Sequence, residues 1–339
     1  MEDFNLDDVV SYIKGNKNTF SRNLYSLWKH FPSQDLRPED SVKAHIQFQE
    51  MVHSDLIKIS PHSKYALVDF GAEFDPKEFN KETGSYITKK HPIVELQDWE
   101  NLDEFDPQTG ELGKQLEIVH KLSKAIQNVP TMMTVFLPTM IARKLVKDDK
   151  IIEQFKEDKN LVKDRLQVIT KVMTEFAKIC IESGSTGLFI ATQETTSHDG
   201  WNPVIWSELA LPYDKKIVDN LRTKAEFQVL HLHGDDIFFK EVLRKLHVDA
   251  INFHSFPDFP QFFSSKTIKN IFHGGLLGGL EEKYFLNSSS IDESEGNTLN
   301  ELISSMDPIL DRIIIAPNCV LPQTLSGEQL VNIVNKLRV

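Results

Sequence analysis

Short apolar runs recur along the chain. Each is followed by a polar turn and then by a stretch in which apolar residues fall three and four apart. The runs are 24–28 (LYSLW), 55–60 (DLIKIS), 132–138 (MMTVFLP), 187–192 (GLFIAT), 228–234 (QVLHLHG), 250–256 (AINFHSF), 270–276 (NIFHGGL) and 312–317 (RIIIAP). They are rich in Ile, Val, Leu and Phe and largely apolar on both faces, as strands of a covered parallel sheet are. Helix candidates lie between them: 38–51, opened by Pro38; 161–183, stopped at Gly184; 203–224; 236–246; and 326–337, where Ser326 and Gln329 have the spacing of a capping box. Eight strand-like runs alternating with helices predict an α/β fold, a (β/α)8 TIM barrel. A doubly wound sheet is the alternative, weakened because no G-x-G-x-x-G segment follows the first run.

Three segments fall outside this repeat. Residues 1–14 read as an N-terminal helical extension placed to cover the barrel floor. Residues 63–110 are long and polar, an insertion after the second strand and therefore at the mouth, where barrel active sites lie. Residues 287–297 (NSSSIDESEGN) are Ser-rich and acidic and read as a loop. No interdomain linker is visible, so residues 1–339 are expected to form one domain, near the upper size for a single core.

Charge and composition narrow the partners. With 38 basic and 50 acidic residues the net charge is −12, which argues against a broad nucleic-acid or anionic-membrane surface. No apolar run approaches the roughly 20 residues that span a bilayer, and the acidic start lacks the order of a signal peptide. Two cysteines exclude a disulfide scaffold and suit a reducing, cytoplasmic setting. A small-molecule substrate is the expected partner; the assembly state, with a homodimer as one option, is left open.

The chemistry concentrates in His231-Leu232-His233-Gly234. Residues two apart in a strand share a face, so both imidazoles point the same way at the C-terminal end of the fifth strand, the catalytic end of a barrel. Cys319 follows the eighth strand and lies on the same face. Two imidazoles and one thiolate leave a fourth tetrahedral position open, the pattern of a catalytic zinc site. The ordinary alternatives are histidines satisfied by neighbours and a cysteine that packs as a small hydrophobe. Cys180, in an apolar helical stretch, reads as packing. Around the mouth, Lys58, Glu194 and His254 are candidate catalytic groups, and His30 and Asn252 candidate substrate contacts. Lys58 and His254 stand out because they interrupt apolar runs. Gly274-Gly275 and Gly278-Gly279 read as tight turns after the seventh strand, and Phe238, Phe239 and the phenylalanines of 256–263 as helix–barrel packing.

In order along the chain, several short segments resemble the uroporphyrinogen decarboxylase superfamily: Trp28-Lys29-His30-Phe31-Pro32, Asp55 to Pro61, Thr196-Ser197-His198-Asp199-Gly200, Leu211-Pro212-Tyr213, His231 to Asp235, Gly274-Gly275 and Asn318-Cys319. The resemblance implies a TIM barrel and one of two chemistries. Tetrapyrrole decarboxylases of the family carry an N-terminal Arg-rich segment and an Asp after the second strand. Here stand Lys29 and His30, then Ser60, Pro61 and His62, with Asp69 as the nearest later carboxylate. The other branch comprises zinc methyltransferases that move a methyl group from a corrinoid, carried on a partner protein, to a thiol such as coenzyme M. Their metal pattern is H-x-C with a distant Cys. His231 matches the first ligand, Cys319 the last, and His233 stands where the middle Cys is expected. The resemblance thus implies zinc on His231, His233 and Cys319, with a charge one unit less negative than the family pattern. Methyl transfer from a corrinoid or related donor to a thiol is the leading expectation. Uroporphyrinogen decarboxylation is the second, and a non-catalytic ligand- or corrinoid-binding barrel the third.

Overall fold

The computed structural model describes residues 5–16, 20–234, 236–253, 263–281, 304 and 307–338. Seven parallel strands make one curved sheet in the order β1 (Ile57–Ile59), β4 (Thr131–Phe136), β5 (Gly187–Gln193), β6 (Phe227–Leu232), β7 (Ala250–Phe253), β8 (Gly275–Leu280) and β9 (Ile313–Pro317). β2 (Glu73–Phe79) and β3 (Tyr86–Lys90) form a separate antiparallel hairpin inside the 63–110 insertion.

The first predicted run, 24–28, is the eighth stave. Its Tyr25 bridges Ile315 in parallel, with Ser26 N bonded to Ile315 O (2.9 Å) and Ile315 N to Leu24 O (2.9 Å). On its other side Asp55 N bonds Tyr25 O (2.9 Å) and the Ser26 hydroxyl bonds Leu56 O (2.6 Å). It therefore lies between the two edges of the sheet, β9 and β1, and bonds both. The TIM-like barrel expected from the alternation is the fold observed.

Two apolar cores hold it. The inner one fills the barrel with Leu24, Leu56, Met132, Phe189, Phe227, Leu277 and Ile314. It is plugged from below by helix Leu6–Ile13, whose Val9, Val10 and Ile13 face inward, as expected of a floor-covering extension. The outer core packs the strands against the surrounding helices, chiefly Pro38–Val52, Gly110–Ala125, Lys159–Glu182 and Gly327–Leu337. Cys180 lies fully buried in it, and burial pushes its thiol pKa up, as packing predicts. Ser326 and Gln329 form the expected capping box.

Three expectations need correction. The seventh strand is not 270–276 but Gly275–Leu280, so most of the glycines read as turns lie within it. The reason is crowding: a Cβ on Gly275 would stand 2.5 Å from Ile13 O of the floor helix, and one on Gly278 (φ 143°) 3.0 Å from Phe253 O. Glycine here lets backbones approach. The helix expected at 236–246 shortens to Phe239–Leu243. The one expected at 203–224 is a short turn at Pro203–Ile205, a π-helical stretch at Trp206–Ala210, and then Leu211–Leu221. Phe263 packs on Phe239 and Phe253 as expected. His254, Asp235, residues 256–262 and the 287–297 segment lie outside the described residues. Among the described residues no helix is long and apolar enough to cross a membrane.

The hairpin is anchored against the barrel by buried polar contacts. The Tyr86 hydroxyl donates to Asp35 Oδ1 (2.9 Å) and accepts from Ser33 N (2.6 Å). His62 accepts from Lys64 N on Nδ1 (3.3 Å), which leaves Nε2–H to donate to Glu111 Oε1 (3.0 Å). Asp69 caps helix Gly110–Ala125 through Glu111 N (2.9 Å) and Leu112 N (2.8 Å), so this carboxylate is structural.

Candidate functional site

His231 is the penultimate residue of β6 and pairs in register with Asn252 of β7, so the two side chains enter the barrel at one level. The Asn252 amide nitrogen donates to Leu277 O and Pro317 O, both at 3.1 Å. That orientation turns Oδ1 toward His231, whose Nδ1 lies 2.5 Å away. Nδ1 must then carry the proton, which puts the lone pair on Nε2. A metal-binding imidazole is prepared by this kind of bond. Phe189 of β5 stacks on the ring (centroids 5.1 Å, planes 29° apart), fixing its plane.

His233 stands just beyond β6, half-buried, its ring centroid 5.7 Å from that of His231. Gly234 follows with φ 117°, where a Cβ would meet that of Ser197 at 2.7 Å. Across the mouth, Cys319 follows β9 and lies beside His233. Burial disfavours the thiolate, but the bond to His233, that imidazole's charge and Lys58 outweigh it and hold the Cys319 pKa below the usual cysteine value. Burial likewise disfavours the His233 imidazolium. The bond to Cys319, the thiolate's charge and Glu194 outweigh it and raise the pKa above that of an ordinary histidine. Glu194 Oε1 lies 3.6 Å from His233 Nδ1, and Oε2 is paired with Arg143. Gln193, just before it, takes φ 46°, a left-handed value that costs energy for a non-glycine residue and turns the chain so that Glu194 faces the mouth.

Lys58 lies below this group, buried in the barrel. Its Nζ is 4.8 Å from the Phe189 ring centroid, 5.6 Å from the Trp28 ring and 3.3 Å from Ser60 Oγ. Burial pushes its pKa down to about 8, with the Cys319 charge opposing. Lys144, from helix Pro138–Leu145, also has a lowered pKa through burial, offset by Glu194. Lys64 is pushed down to about 8 by burial and by Lys144. Lys144 and Arg143 were not singled out from sequence. The one available signal was Pro138 directly after β4, which starts a helix at the mouth.

The sequence candidates therefore separate. His231, His233, Cys319 and Glu194 border the mouth, with Lys58 beneath them in the barrel. Asn252 is there too, but its amide holds His231 and two strand-end carbonyls. His30 packs beside Gly84 of the hairpin turn, and burial pushes its pKa down to about 3, beside Lys58. Its neighbour His45 accepts Ser60 N on Nε2 (3.0 Å) and bonds Ser41 O through Nδ1 (2.8 Å), so it is neutral and structural.

The donor set fits zinc by chemistry: one imidazole with its lone pair presented on Nε2, a second imidazole, and a thiol whose proton is already loosened. Among the described residues no group of three or more His, Cys, Asp or Glu side chains stands close enough to hold a metal ion as arranged. A metal bound there would displace the thiol proton, whose loss the neighbouring imidazole and Lys58 already favour.

The sequence pattern of the uroporphyrinogen decarboxylase (URO-D) family matches residues 21–334. Methylcobamide:CoM methyltransferase MtbA of Methanosarcina mazei is 25% identical over 164 residues, 48% of this chain and 48% of that protein. The same figures hold for MtbA of Methanosarcina acetivorans. The match thus spans about half the length of these relatives. A solved methyltransferase from Methanosarcina mazei superposes with TM-score 0.75 at 15% identity, over 97% of this chain and 96% of that one. A B12-independent methionine synthase from Shewanella sp. W3-18-1, in complex with selenomethionine, gives TM-score 0.55 at 12% identity, over 94% and 96%. At these identities the superpositions show the fold alone.

Proposed function

The chain belongs to the uroporphyrinogen decarboxylase family, and from that premise we propose that it is a zinc-dependent methyltransferase that moves a methyl group to a thiol. The observation that carries this reading is the His231 ring, held by Asn252 with its lone pair on Nε2 and its centroid 5.7 Å from that of the His233 ring, at the mouth that Cys319 also borders. The partial match to methylcobamide:CoM methyltransferases supports it and favours a methylated corrinoid as the donor; a partner protein that carries it is part of the proposal.

His231 Nε2, His233 and Cys319 Sγ would hold the metal. Zinc, when bound, acts as a Lewis acid that takes up a thiol and lowers its pKa, so that a nucleophile exists at neutral pH. The protein's part is to orient and to balance charge. Asn252 and Phe189 fix the position of the His231 ring. Glu194 places a carboxylate beside His233 and adds the negative charge that the histidine at this position removes from the family's ligand set. Lys58, beneath Cys319, supplies a cation against the thiolate. The aromatic floor of Trp28 and Phe189 excludes water from that side. His30 is proposed as a substrate contact, and His254, outside the described residues, as a further catalytic group.

The test is metal content together with methyl transfer. Protein purified without chelators is expected to hold one zinc per chain and to methylate a small thiol from methylcobalamin. Cys319→Ser is expected to lose the metal and at least 100-fold of the rate. Well under one zinc per chain in the native protein, with Cys319→Ser unchanged, contradicts the proposal. Turnover of uroporphyrinogen by the same protein would assign it to the decarboxylase branch instead.

A further inference from the structure

We propose that Gln323 is a positioning residue for Cys319: its side-chain amide, bonded to His30 O, sets where the thiol stands at the barrel mouth. This rests on the reading of Cys319 as a metal ligand. Unlike His231, Cys319 lies past the end of its strand, on a loop, where no sheet ladder fixes it. A ligand on a loose loop loses conformational entropy when the metal binds, so affinity depends on what holds the loop beforehand.

The loop is held at both ends. On the strand side, Asn318 N bonds Leu280 O of β8 (2.9 Å), and the Trp28 indole donates to Cys319 O. Leu321 N then bonds Trp28 O (3.0 Å). On the far side Gln323 bonds two separate elements. Its main-chain N–H donates to Glu82 O of the hairpin turn (2.7 Å), and its side-chain amide donates to His30 O (2.9 Å). Among the described residues it is the joint between the hairpin, the segment after the first stave and the loop that carries Cys319.

The hairpin turn is built to receive it. Asn80 Oδ1 accepts from Glu82 N (2.8 Å) and Thr83 N (3.0 Å), and Gly84 N bonds Asn80 O (2.8 Å). Gly84 takes φ 77°, and a Cβ there would stand 2.8 Å from Gln323 Nε2 and 3.0 Å from His30 Cβ. Glycine at this position satisfies the left-handed turn and lets the Gln323 amide pass close by. The hairpin is in turn tied to the barrel through Tyr86. The insertion thus reaches over the end of the first stave, from β1 to the loop after β9, and adds a far-side brace to a loop that Leu280 and Trp28 hold from the barrel side.

The test compares the full chain with Gln323→Ala and with the near-isosteric Gln323→Glu, which keeps size but removes the donor. Two readouts are taken: amide hydrogen exchange of a peptide covering 318–325 in metal-free protein, and Co2+ affinity with the sulfur-to-cobalt charge-transfer band. Both variants are expected to speed exchange in 318–325 several-fold while β9 exchange stays unchanged. They are also expected to weaken Co2+ binding about tenfold with a diminished charge-transfer band, the size seen when an outer contact of a metal site is lost. Wild-type affinity and spectrum in both variants would overturn the proposal, as would unchanged exchange in 318–325. If Gln323→Ala also loosens β9, Gln323→Glu decides. If the wild-type protein binds no Co2+ through sulfur, the metal reading fails, and exchange in 318–325 still decides whether Gln323 holds the Cys319 loop.

Discussion

At the scale of single residues, the pair His231–Asn252 shows how far a sequence reading reaches. Period-two spacing sufficed to put His231 and His233 at one strand end. The alternation of runs places Asn252 on the strand beside that of His231, but which of its possible roles it fills depends on the register of β7 against β6. Placed as a substrate contact from sequence, it is found with both amide hydrogens on carbonyls and its oxygen on His231. Asn252→Ala removes the bond that fixes the imidazole tautomer, and zinc affinity is expected to fall about 10- to 100-fold. It also leaves the buried Leu277 and Pro317 carbonyls each without this partner, a cost of about 1–3 kcal/mol each. Chelator competition measures the first effect and urea unfolding the second; an affinity equal to that of the unmodified protein would remove Asn252 from the site. Lys144 was illegible for the same reason as the role of Asn252. Its sequence neighbours are those of an ordinary helix, and only the helix's start at the end of β4 brings it to the mouth.

At the scale of elements, long periodic segments were legible and glycine-rich ones were not. Helix Lys159–Glu182 came within two residues of its expected bounds at either end, since a strong amphipathic period over many turns leaves little choice. β8 slipped because Gly275, Gly278 and Gly279 look like punctuation, while their real constraint is the approach of Ile13 O and Phe253 O from elements far away in sequence. The insertion was placed at the mouth correctly, but its anchoring was hidden. Asp35, only 1% exposed, holds the Tyr86 hydroxyl and has a second oxygen, Oδ2, with no hydrogen-bond partner among the described residues. Burial raises its pKa to about 7 from an ordinary 3.8. Between those values the folded state holds a proton that the unfolded chain has lost, so stability falls as pH rises through this window. The penalty is complete once Asp35 ionises. Asp35→Asn mimics the protonated side chain. It is expected to leave stability near about pH 4 almost unchanged and to raise it at about pH 8 by on the order of 2–4 kcal/mol. Urea unfolding at the two pH values checks this; an equal difference at both would show that Asp35 is not buried as a neutral acid.

At the scale of the whole molecule, the alternation of runs and helices was enough for the barrel, and the family match over residues 21–334 agrees with it. Closure was less legible. The stave at 24–28 makes a single bridge with β9 and otherwise relies on scattered bonds to both edges of the sheet. The division of labour is also visible only at this scale. The N-terminal helix and the apolar interior close the floor, leaving the C-terminal strand ends to gather imidazoles, thiol, carboxylate and lysines from β1, β4, β5, β6 and β9. The net charge is −12, yet the mouth carries the buried cations Lys58 and Lys144, so global charge said little about the site. The account turns on whether His231, His233 and Cys319 take one metal together. X-ray absorption at the zinc edge, on protein loaded with one equivalent of zinc, tests this most directly. It should show one sulfur at about 2.3 Å and two imidazole nitrogens at about 2.0–2.1 Å. A zinc shell without sulfur, or without imidazole, would contradict it.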